Sequence, residues 1–230
     1  MTTETMEKRL DKINEDISIY QYTTGFLYGT DAVLLSDYVK IKKGSVGAEI
    51  GTGTGIIPIL VTYKNEPEKI YSFEIQEEYV TLARENVTLC HMEDKIEIVH
   101  EDVKNITPSY MRRFNRESVD FVFTNPPYMK MTSGKLNEDV RKLTARHEYK
   151  CNISDVCLAS SRLLKNGGDF FVIYRPDRLC DLFVAMRESG IEPKEMTEVV
   201  SKVGSAPSLV MVRGKKSASP SMKIKKPLVI

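Results

Sequence analysis

The stretch "AEIGTGTGII", residues 48–57, decides the fold. The apolar run "VGAEIG" at 46–51 has the character of a buried strand, and it passes through closely spaced glycines into a helix-compatible apolar segment. Gly51, Gly53 and Gly55 tolerate positive φ and let a ligand approach the backbone, and the start of the following helix offers free N–H groups. The spacing separates the possible ligands. A phosphate-binding P-loop needs Gly-Lys-Ser/Thr after its last glycine, which is missing here, and a dinucleotide fingerprint needs a glycine at position 56, where Ile56 stands.

Outward from this loop, short β-branched or aromatic runs alternate with longer helical segments. Strands are predicted at 46–51, 69–75, 95–100, 119–124 and 169–174, with helices at 56–64, 76–90, 151–165 and 177–189. That alternation is the βαβα pattern of a parallel sheet covered on both faces. The runs 195–203 and 207–214 read as a terminal antiparallel pair, and "GKKSASPSMKIKK" reads as a loop. No confident element falls within 126–150, and so long a loop in a compact domain is usually functional or disordered.

The 230 residues suit one large domain with short attachments. Hydrophobic residues at 41% and charged ones at 28% exclude disordered and membrane classes. The polar, acidic start "MTTETMEKRLDKINED" has no signal or transit character, so a cytoplasmic location is expected. Cys90, Cys151, Cys157 and Cys180 lack zinc or redox spacing, which predicts buried, reduced thiols and no metal. Against a total charge of +1, residues 201–230 hold seven basic side chains and no acidic one, a basic edge suited to a polyanion.

Three further features stand beside the glycine loop. Glu74 closes the second strand, where a carboxylate can accept from a ribose diol. Asp102 follows the third strand in "VHEDVKN". After the fourth strand comes "NPPY", Asn125-Pro126-Pro127-Tyr128. Two prolines make a stiff turn, so the Asn125 side-chain oxygen and the Pro126 carbonyl become fixed acceptors for a planar amino group, while Tyr128 offers a stacking face. A solvated or capping carboxylate is the plain alternative for Glu74 or Asp102 taken singly.

The G-x-G-x-G spacing after Glu49, with Glu74 and Asp102 in order, resembles the first motifs of S-adenosylmethionine (SAM) dependent methyltransferases. "GFLYGTDAVLLSDYV" (25–39), "NPPYMK", "ARHE" (145–148), "LLKNGGDFFVIYRPDRL" (163–179) and "KKPLVI" (225–230) together resemble the bacterial family that methylates N6 of adenine 37 in valine tRNA. The resemblance implies a single Rossmann-like class I methyltransferase domain at 46–230, with a mostly parallel seven-stranded sheet ending in an antiparallel pair. An N-terminal strap and helix at 1–45 precede it. It implies SAM held by Tyr28, Gly29, Thr30, Asp31, Glu49, Gly51, Gly53, Gly55, Glu74, Ile75, Asp102, Val103 and Asn125, with Phe26 in the strap. Asn125, Pro126, Pro127 and Tyr128 would be catalytic, tRNA the substrate, and no protein partner obligatory. From sequence alone Thr30 or Asp31 is equally a helix cap, and Arg146, His147 and Glu148 equally a structural ion pair.

Two other readings stay open. A protein-glutamine methyltransferase would use the same acceptors, although about 45 residues before the glycine loop leave little room for the helical domain such enzymes carry. A non-catalytic RNA-binding relative would leave the order of Glu74, Asp102 and Asn125 unexplained.

Overall fold

The computed structural model describes residues 7–25, 27–126 and 151–230. A hairpin comes first, β1 (Lys8–Lys12) against β2 (Ser18–Tyr22), followed by helix α1 (Thr30–Tyr38). The repeating core is β3 (Val46–Ile50), α2 (Ile56–Asn65), β4 (Lys69–Glu74), α3 (Glu77–Leu89), β5 (Ile96–His100) and β6 (Val119–Thr124). Beyond residue 150 come α4 (Ile153–Leu163), β7 (Leu164–Tyr174), α5 (Leu179–Glu188), β8 (Ile191–Val200), β9 (Leu209–Lys216), β10 (Lys223–Ile224) and β11 (Leu228–Val229).

The strands β3 to β11 form one sheet in the order β10-β8-β9-β7-β6-β3-β4-β5, with β11 also on β8. β5, β4, β3, β6 and β7 run parallel, and β9 is antiparallel to both β7 and β8. The seven expected strands are therefore present, with β10 and β11 added along β8.

Alternation along each strand sends side chains to two cores. Val122, Phe170 and Val172 pack with Val156, Ala159 and Leu163 of α4 and Leu182 of α5 on one face. Phe121, Phe123, Phe171 and Ile173 pack with Leu35 of α1, Ile59 and Leu60 of α2 and Val80 of α3 on the other. The boundaries follow local chemistry. Asn152 caps α4 by accepting from Asp155 N at 3.0 Å, and Asp155 accepts in return from Asn152 N at 3.1 Å. At the other end of α4, Lys216 Nζ donates to the Ser161 and Leu164 carbonyls, the latter at 2.7 Å.

Several expectations are corrected. The N-terminal hairpin has no counterpart among the predicted strands. It packs on α3, where buried Asn86 accepts from Tyr20 N and donates to the carbonyls of Tyr20 and Thr54. β7 begins at Leu164 rather than 169, with a register shift against β6 between Val119 and Phe121. Within the expected loop, Lys223 and Ile224 form strand β10 instead, because β8 offers them a free edge, and β11 adds Leu228 and Val229 to the same edge. Only Cys157 is buried; Cys90 and Cys151 are half-buried and Cys180 is exposed, all four free. Burial pushes the Cys151 and Cys157 thiols up to about 12, which makes them inert near neutral pH. Among the described residues no helix is long and apolar enough to cross a membrane.

Candidate active site

Strand order reverses between β3 and β6, and ligands in open α/β sheets bind at such a switch point beyond the carboxyl ends of the strands. Ile50 pairs with Thr124 across that boundary, and Thr124 Oγ1 donates to the Ile50 carbonyl at 2.8 Å. The glycine loop after β3 and Asn125 after β6 therefore leave the sheet side by side.

The loop has the backbone that its glycines permit. Gly51 and Gly55 take φ of 75° and 81°; a Cβ on Gly51 would meet nothing within 4 Å, while one on Gly55 would press on Ala83 of α3 at 3.3 Å. One side of the loop thus faces open space and the other is packed against a helix. Gly55 is the N-cap of α2 and supplies no side-chain cap, so the N–H groups of the first turn lack that partner.

Glu74 at the end of β4 is buried and faces the loop. Its Oε2 accepts from Gly53 N at 3.0 Å, and its Oε1 accepts from Ile75 N and Gln76 N, each at 3.0 Å. Glu49 is fully buried inside β3. Burial pushes its carboxyl up to about 8, opposed by the neighbouring Thr52 and Ser72 hydroxyls and reinforced by the negative charge of Glu74. Those hydroxyls are close, yet neither they nor either Glu49 oxygen reaches full hydrogen-bond geometry with a described residue.

After β5, Asp102 caps the 3-10 turn Val103–Asn105 by accepting from Lys104 N at 2.9 Å. Asp102 is half-buried and Val103 is buried beside it. Glu101, which sequence reasoning missed, anchors this turn: it accepts from Asn105 Nδ2 at 2.9 Å, Tyr110 Oη at 2.9 Å and Arg113 Nη1 at 3.2 Å. Asn105, then Tyr110, the Asp102 N–H and Arg113 hold its carboxyl below the ordinary range against the effect of burial. The Glu101 to Asn105 spacing was the available signal, since Asn105 lies four residues on and within reach.

The N-terminal segment comes to the same edge. Neither Thr30 nor Asp31 caps α1 from outside, because Gly29 occupies the N-cap position. Asp31 lies in the first turn, and its Oδ2 accepts from Asn125 Nδ2 at 3.0 Å. Tyr28 is half-buried, and burial raises its hydroxyl pKa. Ile75 is part-exposed, its carbonyl 3.0 Å from His100 Nε2. Pro126 is buried. Phe26, Pro127, Tyr128, Arg146, His147 and Glu148 lie outside the described residues.

A doubly covered, mostly parallel sheet with an antiparallel end, and a glycine loop and acidic strand ends at its switch point, are the architecture of the class I SAM-dependent methyltransferase fold. Residues 53–154 match the family described as UPF0020, the RMKL-like methyltransferase domain. The chain is 27% identical over 184 residues to a protein of Bacteroides fragilis (strain YCH46) named tRNA1(Val) (adenine(37)-N6)-methyltransferase, covering 80% of this chain and 75% of that one. Among solved structures, a predicted O-methyltransferase from Agrobacterium tumefaciens superposes with a TM-score of 0.68 at 20% identity, covering 86% of each chain. TYW2 of M. jannaschii, solved with AdoMet, gives 0.61 at 11% identity over 94% of this chain and 88% of its own. The resemblance to tRNA adenine-37 methyltransferases read from the sequence is therefore borne out along four fifths of the chain.

Proposed function

We propose that the protein methylates the exocyclic N6 amino group of an adenine in RNA, and that the base is adenine 37 in the anticodon loop of valine tRNA. The observation that carries this reading is Asn125, set at the carboxyl end of β6 beside the glycine loop, with its side-chain amide held by a carboxylate. In this reading residues 1–45 act as a strap over the site and 46–230 as the catalytic domain.

The residues present fit the cofactor. Gly51 leaves open space for it, Gly53 and Gly55 shape the turn that leads to the uncapped first turn of α2, and Glu49 lies buried two residues before Gly51. Asp102 still has a carboxylate oxygen to offer an adenine amine, with Val103 and Ile75 as apolar walls and Tyr28 and Thr30 above. Glu74 would take the ribose; a carboxylate accepts about four hydrogen bonds, and Gly53 N, Ile75 N, Gln76 N and, at 3.5 Å, Gln76 Nε2 already donate to it, so the diol must share or displace some of them. Bound SAM supplies an electrophilic methyl group on a sulfonium.

The chain's own contribution is to the nucleophile. An adenine amino group is conjugated with its ring and its lone pair is delocalised. Acceptors at Asn125 Oδ1 and the Pro126 carbonyl can hold both N–H groups and favour a pyramidal nitrogen. As the nitrogen gains positive charge these contacts strengthen, which lowers the barrier rather than merely tightening binding. The excess proton can leave to water. Tyr128 would stack on the base.

The test is incubation with labelled SAM and total RNA from a strain lacking the gene, followed by nucleoside analysis. Label in N6-methyladenosine from tRNA supports the reading, whereas label only in protein glutamine would move the activity to a side-chain amide.

A further inference from the structure

Asp31 and Asn125 are 94 residues apart, and their contact joins the first turn of α1 to the end of β6. Asp31 is held at both oxygens: Oδ1 accepts from Ala32 N at 3.0 Å and Oδ2 from Asn125 Nδ2 at 3.0 Å. An asparagine side chain is a planar amide with a donor at one end and an acceptor at the other, and a carboxylate only accepts. Contact with Asp31 therefore selects one of the two amide orientations. Nδ2 turns to Asp31, and Oδ1 takes the other side of the amide.

That orientation is the one an amine clamp requires. The reversed amide would set its –NH2 against the –NH2 of the base, donor against donor. The seat of the carboxylate is itself prepared: a Cβ on Gly29 would stand 2.7 Å from Asp31 Oδ1, so any larger residue there pushes the carboxylate aside.

We propose that Asp31 is a positioning residue for methyl transfer, which locks the Asn125 amide with its oxygen toward the substrate amine, and that Gly29 keeps the room this lock needs. The inference rests on the amine-clamp reading of Asn125. It departs from the expectation that Asp31 serves SAM.

The experiment measures turnover on an unmodified valine tRNA transcript, SAM affinity by calorimetry and thermal unfolding, for Asp31→Ala, Asp31→Asn, Gly29→Ala, Asn125→Ala and the double variant D31A/N125A. Asp31→Ala is expected to lower kcat by up to about 10²-fold, the scale of a small misplacement of a reacting group, with parental SAM affinity and melting temperature. Asp31→Asn should recover little of the loss, since an amide offers one acceptor where Ala32 N and Asn125 Nδ2 both donate, and its –NH2 no longer selects one orientation of Asn125. Gly29→Ala should stay folded, because the displaced group is the end of a movable side chain, and should lose turnover as Asp31→Ala does. In the Asn125→Ala background Asp31→Ala should cost nothing more. Weakened SAM binding in Asp31→Ala, or losses that add in the double variant, would overturn the inference. Full turnover by Asp31→Ala beside a crippled Asn125→Ala would overturn it alone; full turnover by Asn125→Ala would instead remove the clamp reading beneath it.

Discussion

Glu74 does two jobs at once at the scale of single residues. It was legible as the acid ending the second strand, but its bond from Gly53 N was not, because that depends on how the glycine loop folds back; Ile75 N and Gln76 N donate from the turn directly after it. Glu74→Ala should therefore weaken SAM binding and also lower stability by about 1–3 kcal/mol, the usual cost of leaving a buried hydrogen-bonding group without its partner; calorimetry and chemical unfolding read the two separately. Glu49 has a different signature. Its carboxyl is raised from 4.5 to about 8 mainly by burial. Within that window the unfolded chain has released the proton and the folded chain retains it, so stability falls as pH rises and levels off above the folded pKa. Glu49→Gln removes this titration and should flatten the unfolding midpoint from about pH 5 to 9 without SAM. Parallel curves for parent and variant would show that Glu49 is not the group responsible. Asn125 was read from its motif, whereas its pairing with Asp31 was not, since no periodicity links residues 94 positions apart.

Elements with a strong apolar pattern were legible. β3, β4, β5 and β6 fall within a residue or two of their predicted bounds, and α4 starts two residues inside its predicted bound. The hairpin was hidden because its strands are five residues long and β1 is charged and largely exposed, so it has little core pattern of its own. Its attachment to the body depends on Asn86, whose amide satisfies Tyr20 at both backbone groups and the Thr54 carbonyl in the glycine loop. Asn86→Ala should cost about 1–3 kcal/mol. Asn86→Asp should cost more, since a carboxylate would then face two carbonyl oxygens in a buried site. Hydrogen exchange at the hairpin amides checks this: both variants should speed it, Asp more than Ala, and equal protection in all three would contradict the anchoring role.

For the whole molecule, the basic residues near the end of the chain divide into groups that composition could not separate. Lys216 caps α4, and burial lowers its pKa; Arg213 and Lys215 share Asp169, and Lys225 meets Glu195 at 3.3 Å. Lys215 pairs in register with Asp169, toward the amino ends of the parallel strands and away from the site edge. Lys223 and Lys226 are exposed and enter no ion pair among the described residues. Lys223 lies on β10 and Lys226 in the connection between β10 and β11, along β8 and about 19 Å from β6 at four strand spacings, which is within the span of a folded RNA. The loop cations Lys130, Lys135, Arg141 and Lys142 lie outside the described residues. Replacing Lys223 and Lys226 should weaken tRNA binding and reduce the slope of log K against log salt by about one unit for each phosphate that is no longer neutralised. Lys216→Ala should lower stability instead. The central claim is tested most directly by incubating the protein with SAM and two valine tRNA transcripts, one native and one with guanine at position 37, followed by nuclease digestion and mass spectrometry of the nucleosides. The account predicts N6-methyladenosine from the native transcript alone, and methylation of both, or of neither while RNA from another tRNA is modified, would contradict the assignment to adenine 37.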